Sequence, residues 1–104
     1  MSYIVLDLEW NQAMSSNASV FNRLPIHLSG EIIQIGAVKL DDDFCPAEEF
    51  QSDVRPIYFR SMHYKVKKLT GIDKERLSHG DTFPTVFEHF REWCGEDPVF
   101  VKVG

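Results

Sequence analysis

Residues Tyr3 to Trp10, YIVLDLEW, carry the β-branched and aromatic content and the alternation of a β-strand. A strand turns successive side chains to opposite faces. Tyr3, Val5, Asp7 and Glu9 therefore share one face, and Ile4, Leu6, Leu8 and Trp10 share the other. Such an apolar strand belongs inside a sheet, yet this one commits two carboxylates to a single side. Residues two apart on a strand have Cα atoms ~6–7 Å apart, so a short Asp and a longer Glu can converge on one point. Hard divalent cations such as Mg²⁺ or Mn²⁺ take oxygen ligands of this kind and keep waters for a substrate phosphate. Buried without a cation, the pair would repel and one acid would take up a proton. The other reading is a partly exposed face on which both acids are solvated. The D-x-E spacing alone is too common to choose between them.

The rest of the chain builds a sheet around this strand. Asn11 to Gly30 is polar and reads as a long loop, a length usually functional or disordered in compact domains. Glu31 to Leu40, EIIQIGAVKL, is a second strand, apolar on both faces and therefore central. Gly36 within it marks a close backbone approach or a bulge. DDDFCP turns the chain, and Glu49 to Pro56 is a third strand. These three strands read as an antiparallel meander.

Beyond Pro56 the period changes. Ser61 can cap a helix with Met62, Val66 and Leu69 on one face, stopping near Gly71. Asp73 can cap a short helix through Leu77. Asp81 or Thr82 starts a third helix with Pro84 in its first turn and Gly95 at its end. Its stripe of Phe83, Val86, Phe87, Phe90, Trp93 and Cys94 is a core face. Pro98 to Val103 then returns as a fourth strand. The fold class is α/β: a three-strand meander, helices, then one more strand, all in one domain.

Charge is unevenly placed. The net charge is −5, yet Arg55 to Arg76 holds seven Lys/Arg against only Asp73 and Glu75. A basic segment within an acidic chain reads either as a solvated helix face or as an anion-binding flank to an acidic metal site. No run approaches the ~18 apolar residues of a membrane span. Met1 leads directly into Ser2 and a strand, so no signal peptide is expected. Cys45 and Cys94 have no metal-type spacing and read as free thiols of a reducing, cytoplasmic protein.

The succession YIVLDLEWNQ, GEIIQIGAVKLD, FQSDVRP, KLTGI and FPTVFEHFREWC resembles the DEDD-type, DnaQ-like 3′–5′ exonucleases of the ribonuclease H-like fold. It is most similar to stand-alone bacterial exonucleases related to the sporulation-inhibitor and histone-mRNA exonuclease group. The resemblance implies a metal-dependent hydrolase of phosphodiester bonds, acting on the 3′ end of single-stranded DNA or RNA, with two Mg²⁺ or Mn²⁺ ions. It implies Asp7 and Glu9 as catalytic metal ligands, Asp7 bridging both ions. It implies a pocket for the terminal nucleotide from Leu8, Trp10 and Asn11 and from Leu69, Thr70 and Ile72. Trp10 lies on the opposite face from the acids if the strand persists, which makes it equally a core residue. The LTGI segment is equally a helix end with a hydrophobic clamp.

The family pattern has two further acidic motifs, the later one with a His or Tyr general base. VFVKVG at the end of the sequence supplies neither, and His27, His63, His79 and His89 do not fall in the base's position. The expectation is thus a partial exonuclease domain over 1–104, its fourth strand beside the first, with little activity of its own. It is also expected to self-associate through an open sheet edge or face. The competing expectations are a degenerate module that binds nucleic acid or nucleotide without cleaving it, and an assembly subunit.

Overall fold

The computed structural model describes residues 2–12, 30–58 and 61–102. Its first strand is β1, Ser2–Gln12, followed by β2, Gly30–Leu40, and β3, Pro46–Arg55. Two short helices come next, α1, Tyr64–Thr70, and α2, Lys74–Ser78. A two-residue strand β4, Asp81–Thr82, leads into α3, Phe83–Cys94, and β5 is Pro98–Lys102. The sheet order is β4-β3-β2-β1-β5, with β1, β2 and β3 antiparallel and β5 parallel to β1. The meander and the returning strand beside the first are as expected. The sheet has five strands rather than four, because Asp81 and Thr82 pair with Val54 and Arg55 of β3 before the helix begins. A cap residue in extended conformation can join a ladder, and the cap preference alone does not reveal it. The third strand also starts earlier than expected. Most of the expected 11–30 loop, and Val103, lie outside the described residues.

One face of the sheet packs on α3. Ile4, Ile35, Ala37 and Val54 meet Val86, Phe90 and Cys94 there, with Leu6, Leu8, Ile32, Phe50 and Trp93 around them. Lys39 locks the helix end. Its ammonium donates to the Trp93 carbonyl at 2.6 Å, lies 4.6 Å from the Trp93 ring centre and pairs with Glu48 at 3.4 Å. A cation there satisfies a terminal helix carbonyl and complements the helix dipole. Burial pushes the Cys94 thiol above its ordinary pKa, with Lys39 acting weakly in the opposite sense. The expected stripe of α3 is only partly core. Phe83 and Phe87 stack on each other at 5.6 Å and are each 40% exposed, because the core contacts are made by the Val86, Phe90, Trp93 and Cys94 side.

The other face carries α1 and α2, and a β-bulge makes that possible. Glu9 pairs with Gln34 but Trp10 pairs with Ile32, so Ile33 is an extra residue on β2. A bulge upsets strict alternation. Ile32 and Ile35 therefore pack toward α3, while Ile33 joins Val66, Ile72 and Leu77 under α1 and α2. Of the two readings of Gly36, a close backbone approach or a bulge, the bulge is not there but at Ile33; Gly36 is in regular register opposite Asp7.

Helix α1 departs from its expected boundaries. His63, not Ser61, is its N-cap, accepting from the Lys65 N–H at 3.2 Å through Nδ1. Leu69, expected on the buried face, is 86% exposed; Val66 and the half-buried Met62 fill that role. Gly71 ends the helix as expected, at φ 73°, a left-handed conformation that costs other residues more.

Candidate metal-binding face

Strand β1 keeps its alternation through Gln12, so Asp7 and Glu9 do share a face, the one that α1 and α2 partly cover. Asp7 is exposed and Glu9 half-buried. The cross-strand partner of Asp7 on β2 is Gly36. A Cβ placed at Gly36 would meet only the Asp7 carbonyl oxygen, at 3.5 Å, so nothing but hydrogen fills the space beside this carboxylate. Glu9 faces Gln34, which faces Asp53 on β3. The row of three polar residues ends in a closed network. Gln34 donates its amide to Asp53 at 3.2 Å, and Arg76 of α2 makes a forked ion pair with the same carboxylate at 2.7 and 3.0 Å. The Asp53 carboxylate raises the Arg76 pKa, first by hydrogen bonding and then by its charge. Asp53 is therefore held by a cation of the protein itself. A forked Arg–carboxylate pair fixes geometry as well as charge, and here it orients α2 on the sheet.

Asp7 and Glu9 make a donor set of hard oxygens, suited to Mg²⁺ or Mn²⁺ with water and substrate completing the shell. Among the described residues no group of three or more His, Cys, Asp or Glu side chains is placed to hold a metal ion. Asp7 and Glu9 are thus two candidate oxygen donors, fewer than a metal site of protein ligands alone would need.

The residues expected to bind a nucleotide are dispersed. Leu8 lies on the α3 face and packs against its core. Trp10 also turns away from the acids, toward Ile32, and is 48% exposed. It lines an apolar cleft of about 270 Å³ with Gly30, Ile32, Tyr58 and Phe83. Asn11 returns to the acid face but is wholly buried. Its amide donates to the Ser61 carbonyl at 3.1 Å and its oxygen accepts the His63 N–H at 2.9 Å, leaving little of it for a ligand. In the LTGI segment, Leu69 projects into solvent and Ile72 is core at 1% exposure. The Thr70 hydroxyl donates to the Val66 carbonyl at 2.8 Å and accepts the Ile72 N–H at 3.1 Å. This is the helix-end reading of the segment. Packing and backbone partners thus take up the side chains of Leu8, Asn11 and Ile72.

Two features escaped sequence reasoning. One is the Gln34–Asp53–Arg76 network, whose signal was a lone polar residue in the otherwise apolar EIIQIGAV. The other is Asn11 as the tie between β1 and α1.

A mixed five-strand sheet with paired acids on its first strand is the architecture of an exonuclease domain. The chain belongs to the exonuclease family: the family model described as RNase T, exonuclease, matches residues 4–104. None of the curated proteins matches it in sequence. Solved structures share its fold, a ribonuclease H-like exonuclease fold. Cell-death related nuclease 4 superposes with a TM-score of 0.74 at 24% identity, over 97% of this chain and 34% of that one. The nuclease domain of 3′hExo, a DEDDh family member bound to rAMP, gives 0.77 at 22%, over 99% and 52%. Exonuclease I of E. coli, in complex with an oligonucleotide, gives 0.69 at 11%, over 99% and 20%. The chain thus spans between a fifth and about half of these structures' lengths.

Proposed function

We propose that this chain is the N-terminal part of a divalent-metal-dependent 3′–5′ exonuclease acting on single-stranded ends of DNA or RNA. The observation that carries the reading is the placement of Asp7 and Glu9 on one face of β1, with Gly36 leaving room beside Asp7. These two carboxylates would hold the cation, Mg²⁺ or Mn²⁺. When bound, that ion supplies activation of water and charge relief at the leaving oxygen in phosphodiester hydrolysis. Asp7 is exposed and Glu9 half-buried, so substrate would reach the cation from the Asp7 side. Gln34 and Arg76 keep Asp53 out of the donor set and so limit the negative charge on this face. Substrates resembling those of the solved relatives, an RNA or DNA 3′ end, are consistent with this arrangement.

Two carboxylates are half of the acidic set that the family resemblance implies, so the chain by itself supports little turnover. The exposed face and free edge of β5 would also favour self-association, and the working location is the cytoplasm. The test is Mn²⁺ binding followed by electron paramagnetic resonance, alongside cleavage of a 3′-labelled oligonucleotide. The expected result is weak Mn²⁺ binding that Asp7→Asn and Glu9→Gln each abolish, with slow cleavage or none. Mn²⁺ binding that is indifferent to both substitutions would remove the basis of the proposal. Brisk cleavage lost in Asp7→Asn would overturn the claim of low intrinsic activity.

A further inference from the structure

The exposed side of α1 combines an aromatic ring with unpaired positive charge, and its position in the fold is fixed. Tyr64 is 65% exposed, unusual for a ring of its size. It stacks on the His63 imidazole with centroids 4.7 Å apart and planes inclined by 20°. His63 is itself held, since its Nδ1 accepts the Lys65 N–H and its own N–H is bound by Asn11. Tyr64, Lys67 and Lys68 stand at i, i+3 and i+4 on one side of the helix, and Lys65 lies 6.0 Å from the Tyr64 ring centre. Val66 points the opposite way, into the core. Lys65, Lys67 and Lys68 are exposed, and none makes an ion pair among the described residues. In a chain of net charge −5 this is a local reversal of sign, whereas Arg76, in the same basic segment, is already spent on Asp53.

An exposed ring braced by a stacked imidazole and flanked by lysines is the chemistry that binds single-stranded nucleic acid without sequence preference. The ring stacks a base and the ammonium groups track phosphates. A solvated helix face explains the lysines but not the large exposed ring among them. Asn11 ties the start of α1 to β1 only two residues beyond Glu9, ~6–7 Å along the strand. We infer that the His63–Tyr64 pair with Lys65, Lys67 and Lys68 forms a stacking platform for single-stranded nucleic acid beside the paired carboxylates. This rests on the exonuclease reading for its substrate class, but makes no use of a metal. The platform feeds the strand toward β1; it does not touch the bond that breaks.

The test measures binding with cleavage suppressed. A labelled single-stranded oligonucleotide is titrated with the full chain in EDTA and followed by fluorescence anisotropy. Tyr64→Ala is expected to weaken binding about tenfold and Tyr64→Phe to leave it nearly unchanged. Lys67→Gln with Lys68→Gln should reduce the slope of log affinity against log salt by about 1.4. Circular dichroism of each variant establishes that it is folded. Arg91→Gln, on the exposed side of α3, should bind as the wild type does in EDTA, and Mn²⁺ binding by Asp7→Asn is read separately, so a failed metal site and a failed platform give different results. Wild-type affinity in both Tyr64→Ala and the lysine variant would overturn the inference, whatever Asp7 does. So would equal competition by poly-L-glutamate, which would mark a surface for acidic protein, or preference for duplex over single strand.

Discussion

Asn11 shows how a polar side chain can be buried at no net loss. It is wholly inaccessible, and both ends of its amide reach backbone groups of the segment entering α1. Removing it would leave a carbonyl and an N–H without partners in the interior. Asn11→Ala is therefore expected to cost about 1–3 kcal/mol, read from the midpoint of chemical denaturation. Asn11→Asp keeps an acceptor for His63 but loses the donor to Ser61, and should fall between. An unchanged midpoint in Asn11→Ala would show that solvent replaces the amide. In sequence, Asn11 had the look of a ligand residue because it follows the paired acids. Nothing local distinguishes a polar side chain that meets a nucleotide from one that meets a backbone fifty residues away. The shared face of Asp7 and Glu9 was legible, because side chains alternate along a strand and β1 keeps that alternation through Gln12.

Among the elements, α1 is the most sharply determined at its end and the least at its start. Gly71 adopts φ 73° with nothing within 4 Å of where a Cβ would sit, so space is not the constraint there; backbone conformation is. Gly71→Ala is expected to destabilise the fold by about 1–2 kcal/mol through the left-handed penalty alone. A loss well above that in thermal or urea unfolding would point to a steric clash instead. The helix end was visible in sequence because glycine is the residue for this conformation. The start was not, because Ser61 and His63 are both competent caps and the choice fell to Asn11, a long-range contact. Leu69 was assigned to the core by its spacing from Val66 and Met62. A helix of seven residues turns only one narrow face to the sheet, and Leu69 falls outside it. The interrupted register of β2 was equally hidden, because an apolar run such as EIIQIG reads the same with or without an extra residue.

For the molecule as a whole, the described residues cover the two sides of the sheet unequally. Helix α3 closes one side, while α1 and α2 close only part of the other. Val99 and Val101, level with Tyr3 and Val5 in the ladder, remain 36% and 44% exposed. Phe100 is 51% exposed, and β5 ends the strand order on its side of the sheet. Among the described residues no strand pairs with the outer side of β5, and apolar surface beside such an edge promotes association. Sedimentation is expected to show concentration-dependent dimers or larger species, and Val99→Lys with Val101→Lys should shift them toward monomer. A wild-type chain that stays monomeric at high concentration would contradict this. The antiparallel meander was readable from sequence because turn residues bound its strands, and the place of the last strand beside the first followed from the family resemblance. The five-strand count was not, since two residues of ladder carry no periodicity.

Ile33 makes the two sides of the sheet depend on a single codon. Removing that one residue would let β2 run in unbroken step with β1, at little cost to the ladder itself. Ile32 and Glu31 would keep Trp10 and Asn11 as partners, but the β2 side chain that fills the space under α1 and α2 would be gone. Length along this strand is thus as informative as residue identity. A relative with one residue fewer here should carry its compensating apolar side chain on α1 or α2, even where every other position of the strand is the same.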